Sequence, residues 1–106
     1  MCHCLACQRR TGSAFGVQAR FRKESVSIKG QSKQYVRVAD SGNKIAFNFC
    51  SICGAIVHYT LEGLEELIAV PVGAFADPQF PAPAFSVYEQ RKHSWVALPT
   101  NITHSA

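Results

Sequence analysis

The sequence predicts a mainly β fold, with several small antiparallel sheets and hairpins organised around clustered cysteines. Three observations carry that expectation. Apolar and polar residues alternate with period two through much of the chain. Glycine and proline interrupt those stretches at short intervals. The five cysteines fall in two tight groups, Cys2, Cys4 and Cys7, then Cys50 and Cys53.

The first group comes at the start of the chain, in Cys2-His3-Cys4-Leu5-Ala6-Cys7. Three thiols this close cannot all pair with one another, and a disulfide needs Cα atoms roughly 4.4 to 6.8 Å apart with facing Cβ atoms. A metal satisfies the same spacing with less strain. Zinc takes thiolates at about 2.3 Å, so one turn can present three corners of a tetrahedron. The fourth corner is not supplied locally. Three protein ligands with an open position are the catalytic pattern, and four protein ligands are the structural one. Gln8 to Thr11 reads as a short helical turn ended by Gly12. Arg9 and Arg10 follow Cys7 directly. Zinc with three thiolates carries a net negative charge, which guanidinium groups offset while offering bidentate contacts to a carboxylate.

Phe15, Val17, Ala19 and Phe21 then alternate with Gly16, Gln18, Arg20 and Arg22, which predicts a half-buried strand immediately after the cysteines. Ser25 to Lys29 and Gln34 to Val38 continue the alternation around Gly30. Asp40-Ser41-Gly42-Asn43 is a turn signal between residues 35–38 and 45–49, which predicts a hairpin. At its far end stands Cys50-Ser51-Ile52-Cys53-Gly54, where glycine permits a tight turn that aims backbone amides at the sulfurs. A C-x-x-C can be a redox pair, but that reading wants a helix after it, and Ala55 to Thr60 is β-branched and aromatic. Zinc is therefore the favoured reading for Cys50 and Cys53 as well, so both cysteine groups become zinc-cysteine sites. Residues 61–67 have glycine at their centre and read as a loop. Leu67 to Val72 is an apolar run of strand length. Pro78, Pro81 and Pro83 impose an extended crossing before a strand at Phe85 to Tyr88, and Thr100 to Ala106 is expected to fray.

At 106 residues the chain is read as a single domain, at a size where a metal adds usefully to a small core. It has no run of about 18 apolar residues and no signal-peptide pattern. The expected setting is therefore cytoplasmic, without a membrane, and with reduced thiols. The net charge of +4 is uneven: residues 1–44 hold nine Lys or Arg against Glu24 and Asp40, while residues 45–106 hold Arg91 and Lys92 against five acids. That asymmetry attracts anions. Nucleic acid is disfavoured, since neither a recognition helix nor an aromatic platform is evident and the basic residues are scattered along predicted strands.

The stretch CHCLACQRRTGSAFG, then NFCSICGAIVHY at 48–59, VGAFADP at 72–78 and a late Trp95 together resemble the glutathione-dependent formaldehyde-activating enzyme family, which includes centromere protein V. The resemblance implies two zinc sites on a β-rich fold. It gives Cys2, Cys4 and Cys7 the catalytic role and makes Cys50 and Cys53 half of a structural site. The other half comes, in the family, from a C-x-C-G on an upstream strand, which is expected to be lacking here because Met1 directly precedes Cys2 in this sequence. One expectation is an unpaired sheet edge and a homodimer through it. Cysteine counting also permits a single four-sulfur site from Cys2, Cys4, Cys50 and Cys53, with Cys7 left free. The motif match and the tight spacing favour the open three-cysteine site.

The resemblance further implies a carbon–sulfur lyase of the S-(hydroxymethyl)glutathione synthase type, with Zn2+ as cofactor, condensing glutathione or another small anionic thiol with formaldehyde or a related aldehyde. Arg9 and Arg10 are the candidate substrate contacts. The alternative is a non-catalytic zinc module that binds glutathione or a protein or nucleic-acid partner. His3 is expected to point away from the metal, with a lesser role open as a stand-in fourth ligand. His58 reads as a structural strand histidine, His93 and His104 as exposed, and Trp95 as a core or edge anchor.

Overall fold

The computed structural model describes residues 1–105, which divide into two compact units: Ala19–Ala76, and residues 1–18 with the chain from Asp77 onward. The first holds a five-stranded sheet. Its strands are β1 (Gln18–Arg22), β2 (Lys33–Val38), β3 (Lys44–Phe49), β4 (Ile56–Leu61) and β5 (Leu67–Pro71), in the order β1-β5-β4-β3-β2. The predicted hairpin is β2 with β3, antiparallel and in unbroken register from Lys33↔Phe49 to Val38↔Lys44. Its turn is closed by the Ala39 amide donating to the Asn43 carbonyl at 2.8 Å and the Gly42 amide donating to Ala39 at 2.9 Å. Gly42 has φ +89°, a conformation that costs glycine little and other residues more.

The core lies on one face of this sheet because alternation sends every second side chain there. Ile45 and Phe47 on β3 are buried, Tyr59 sits opposite Phe47 in register, and Ala69 sits opposite Tyr59. The Phe47 and Tyr59 rings meet at 5.0 Å between centroids with a 44° tilt, and the Arg37 guanidinium lies 5.2 Å from the Phe47 centroid. Burying such side chains contributes about 1.5–3 kcal/mol each. Between β3 and β4 the register slips, with Asn48 opposite His58 but Phe49 opposite Ile56, so Val57 is an extra residue. A bulge of this kind bends the pair locally, here directly before Cys50.

The segment read as a strand at Ser25 to Lys29 is not one. A 3₁₀ turn at Lys23–Ser25 is followed by irregular chain, and Ser27, Ile28 and Lys29 are exposed. Lys23 donates its amide to Glu66 at 2.9 Å and Val26 donates back to Lys23 at 3.2 Å, so the backbone enters a turn rather than a ladder. Alternation without a partner strand has nothing to stabilise it.

The second unit is built on helix α1 (Leu5–Thr11) and a parallel pair, β6 (Phe85–Val87) with β7 (Thr103–Ser105). Cys2 bridges β6 at Val87 and also Gly16. β7 corrects the expectation of a frayed tail: the Thr103 amide donates to Ala84 at 2.8 Å and Ile102 is buried, while Ala106 lies outside the described residues. Trp95 is also not the anchor it was expected to be. It is 73% exposed, and its smaller neighbour Val96 is buried instead, carried inward by a turn in which Val96 donates to the His93 carbonyl at 3.1 Å.

Candidate metal centre

Residues 2–7 place three thiols together by two local rules. An extended segment alternates its side chains, so Cys2 and Cys4 share one side and His3 faces the other. A helix then brings positions three apart onto one face, which sets Cys7 beside Cys4. Cys4 is extended (φ −63°, ψ 154°) and caps α1, its sulfur accepting from the Cys7 amide at 3.3 Å. Gly12, left-handed at φ +67°, ends the helix and donates its amide to Gln8. Among the described residues, one group of three candidate ligands has its donor atoms all within 4.8 Å of one another, and it is Cys2, Cys4 and Cys7. Thiolates about 2.3 Å from a tetrahedral zinc would lie about 3.8 Å apart, so the trio fits that ion after a small contraction. His3 is outside the group and fully buried.

The sulfurs are electrostatically unequal. Cys7 is drawn down to about 5, mainly by a hydrogen bond from Cys2, and further by Cys4 and Arg10, against the opposing effect of burial. The Cys2 thiol is pushed up by that same bond to Cys7 and by its own burial. Arg10 Nη2 stands 3.9 Å from the Cys7 sulfur, so its guanidinium favours an anion on Cys7 over one on Cys2. The two arginines are thereby separated: Arg10 is half-buried beside Cys7, whereas Arg9 is exposed.

This arrangement lies within the segment, residues 1–91, that matches the family model for the glutathione-dependent formaldehyde-activating enzyme. The chain belongs to that family. No curated protein is similar enough to the chain to count as a match. Among the described residues, no helix is long and apolar enough to cross a membrane.

The second cysteine pair, Cys50 and Cys53, lies in the sheet unit, where β3 ends. Cys50 donates its amide to Ala55 and Gly54 donates to Cys50, both at 2.8 Å, and Gly54 has φ +79°. The amides of Cys53 and Ile52 hold Cys50 below the usual thiol range, with Ile52 N 3.4 Å from the sulfur. Ile52 at the tip is 95% exposed. Cys50 and Cys53 are not in the three-donor group. His58 is half-buried in β4, and burial lowers its pKa.

Three residues that the sequence did not single out support the cysteines. Gln8 Nε2 donates to the carbonyls of His3 at 2.9 Å and Arg91 at 3.1 Å, and its Oε1 lies 2.9 Å from His93 Nε2. Ser86, fully buried, lies 3.0 Å from His3 Nε2. Gly16 exchanges two backbone hydrogen bonds with Cys2, at 2.8 and 2.9 Å, and a Cβ there would stand 3.0 Å from Arg10 Nη2. None of the three carried a functional signal in the sequence, where Gly16 is one member of an alternating stretch and Gln8 the start of a short helical turn.

Proposed function

We propose that the chain is a zinc-dependent enzyme of the S-(hydroxymethyl)glutathione synthase type, a carbon–sulfur lyase class, acting on glutathione and formaldehyde or a related aldehyde. The observation that carries this reading is the convergence of three thiols, with Arg10 beside one of them, in a chain of this family. Cys2, Cys4 and Cys7 would hold the ion. Zinc held there would supply an open position that lowers the pKa of an incoming thiol.

The chain's own residues account for binding and orientation. Arg9, exposed in the last turn of α1, offers a guanidinium to a substrate carboxylate, and Arg10 balances the charge on the sulfurs. In the addition a sulfur–carbon bond forms, and the carbonyl π pair moves onto oxygen. The proton given up by the thiol ends on that oxygen. Nothing is oxidised or reduced and no group leaves.

The test is exchange spectroscopy of glutathione with formaldehyde on the zinc-loaded protein, with the spontaneous rate measured in the same buffer. Acceleration above that rate, lost in Cys7→Ser, is expected. Glutathione binding by calorimetry without acceleration would sink the catalytic reading and leave a binding module. Neither binding nor acceleration would remove glutathione as the ligand.

A further inference from the structure

We propose that Ser86 is a positioning residue for the cysteine centre, acting through His3 to fix the direction in which Cys2 and Cys4 present their sulfurs. The proposal rests on the reading that this trio holds a metal. His3 lies between two of the candidate ligands, and each of its polar groups but one is tied down. Its amide donates to the Val87 carbonyl at 3.1 Å, its carbonyl accepts from Gln8 Nε2 at 2.9 Å, and its ring Nε2 lies 3.0 Å from Ser86 Oγ. Both side chains of the last pair have 0% exposure.

The direction of the His3–Ser86 bond follows from the other ring nitrogen. His3 Nδ1 is buried and without a hydrogen-bond partner among the described residues, and a buried N–H is orphaned less readily than a lone pair. The ring proton therefore sits on Nε2, where Ser86 Oγ accepts it at 3.0 Å, and Nδ1 is the bare acceptor. A ring in this state cannot turn over without placing its N–H where no acceptor waits.

This matters to the sulfurs because of the alternation in the segment. With the His3 ring pinned inward, the flanking side chains of Cys2 and Cys4 are directed together to the opposite side, where Cys7 joins them. Outer partners that orient a ligand typically change metal affinity by about 10- to 100-fold when removed. Ser86 differs from the usual case in acting on the residue between two ligands rather than on a ligand.

The experiment uses the full chain in three forms, native, Ser86→Ala and Ser86→Thr, with Ser86→Val as a fourth. The His3 tautomer is read by nitrogen and carbon NMR of the metal-free protein. Metal affinity is read by cobalt(II) titration through the thiolate charge-transfer absorption, with Cys50→Ser/Cys53→Ser run alongside to assign the band. In Ser86→Ala the Nε2–H signature is expected to be lost and cobalt affinity to fall at least tenfold, while Ser86→Thr restores both. Ser86→Val matches Ser86→Thr in shape but has no hydroxyl, so it is expected to lose the Nε2–H signature even if Ser86→Ala does not fold. An unchanged His3 signature in folded Ser86→Ala, or a lost signature with unchanged cobalt affinity, overturns the proposal. If the native chain gives no thiolate–cobalt band from Cys2, Cys4 and Cys7, the metal reading fails instead, and the NMR result still decides whether Ser86 sets the His3 ring.

Discussion

Replacing Arg10 by alanine is expected to make the Cys7 sulfur harder to deprotonate, whereas replacing Arg9 is not. Arg10 Nη2 lies 3.9 Å from Cys7 Sγ, and Arg9 is exposed. Two unit charges at that separation attract by about 1 kcal/mol in bulk water and by about 4 kcal/mol at an effective dielectric of about 20. Cys7 is half-buried, and hydrogen bonds from Cys2 and Cys4 hold it down more strongly than Arg10 does, so the lower part of that range applies. About 1.4 kcal/mol corresponds to one pKa unit, or a tenfold change in thiolate fraction. The sign is fixed: removing a cation disfavours the anion, so the Cys7 titration moves up from about 5. The assay is the pH dependence of Cys7 alkylation in the reduced, metal-free chain, followed by mass spectrometry of the Cys7 peptide. On the acid flank Arg10→Ala should alkylate about tenfold more slowly than native at the same pH, with Arg9→Ala close to native. Equal displacement in both variants, or none in Arg10→Ala, would refute a direct Arg10–Cys7 interaction.

Other outcomes follow from the same geometry. Elemental analysis after mild chelation should give one zinc per chain, lost in Cys7→Ser; two would mean that Cys50 and Cys53 find ligands beyond those described. Because burial lowers the pKa of His3 and His58, the unfolded chain binds more protons than the folded one as pH drops below 6.5. The stability from these groups is therefore complete above that value and declines below it. A urea midpoint for metal-free protein that stays level across this range would count against the burial of both rings. Trp95, the sole tryptophan, should fluoresce as a solvent-exposed indole and be quenched by iodide, and a shielded emission would contradict its placement.

The parts of the fold that the sequence disclosed are those whose partners are near in the chain. The β2–β3 hairpin needed only an alternating stretch on each side of Asp40-Ser41-Gly42-Asn43, and its register followed from the turn. The end of α1 at Gly12 and the convergence of Cys2, Cys4 and Cys7 are likewise set within ten residues or so. Ser25 to Lys29 misled because alternation records a half-buried habit without revealing whether a partner strand exists. Trp95 misled for a related reason: a tryptophan is apolar enough to bury, but at a turn only one of two neighbours faces inward, and here Val96 does.

Distance along the chain also explains why the cysteine ligands were legible and their supports were not. A C-x-C-x-x-C spacing states its chemistry locally, but the direction of its first two sulfurs depends on His3, and His3 is fixed by Val87, by Ser86 and by Gln8, whose side-chain amide also donates to Arg91. The His3–Ser86 and Gln8–Arg91 bonds each join positions 83 residues apart. No period or turn signal reports a pairing of that length, and closing such a loop costs entropy that only the native contacts recover. Serine and glutamine are also common residues whose burial, rather than identity, makes them informative. A buried serine that holds a buried histidine ring is visible only once the fold has brought the chain's two ends together, which is why β6 and the segment after it bear on a site that the first seven residues seemed to contain.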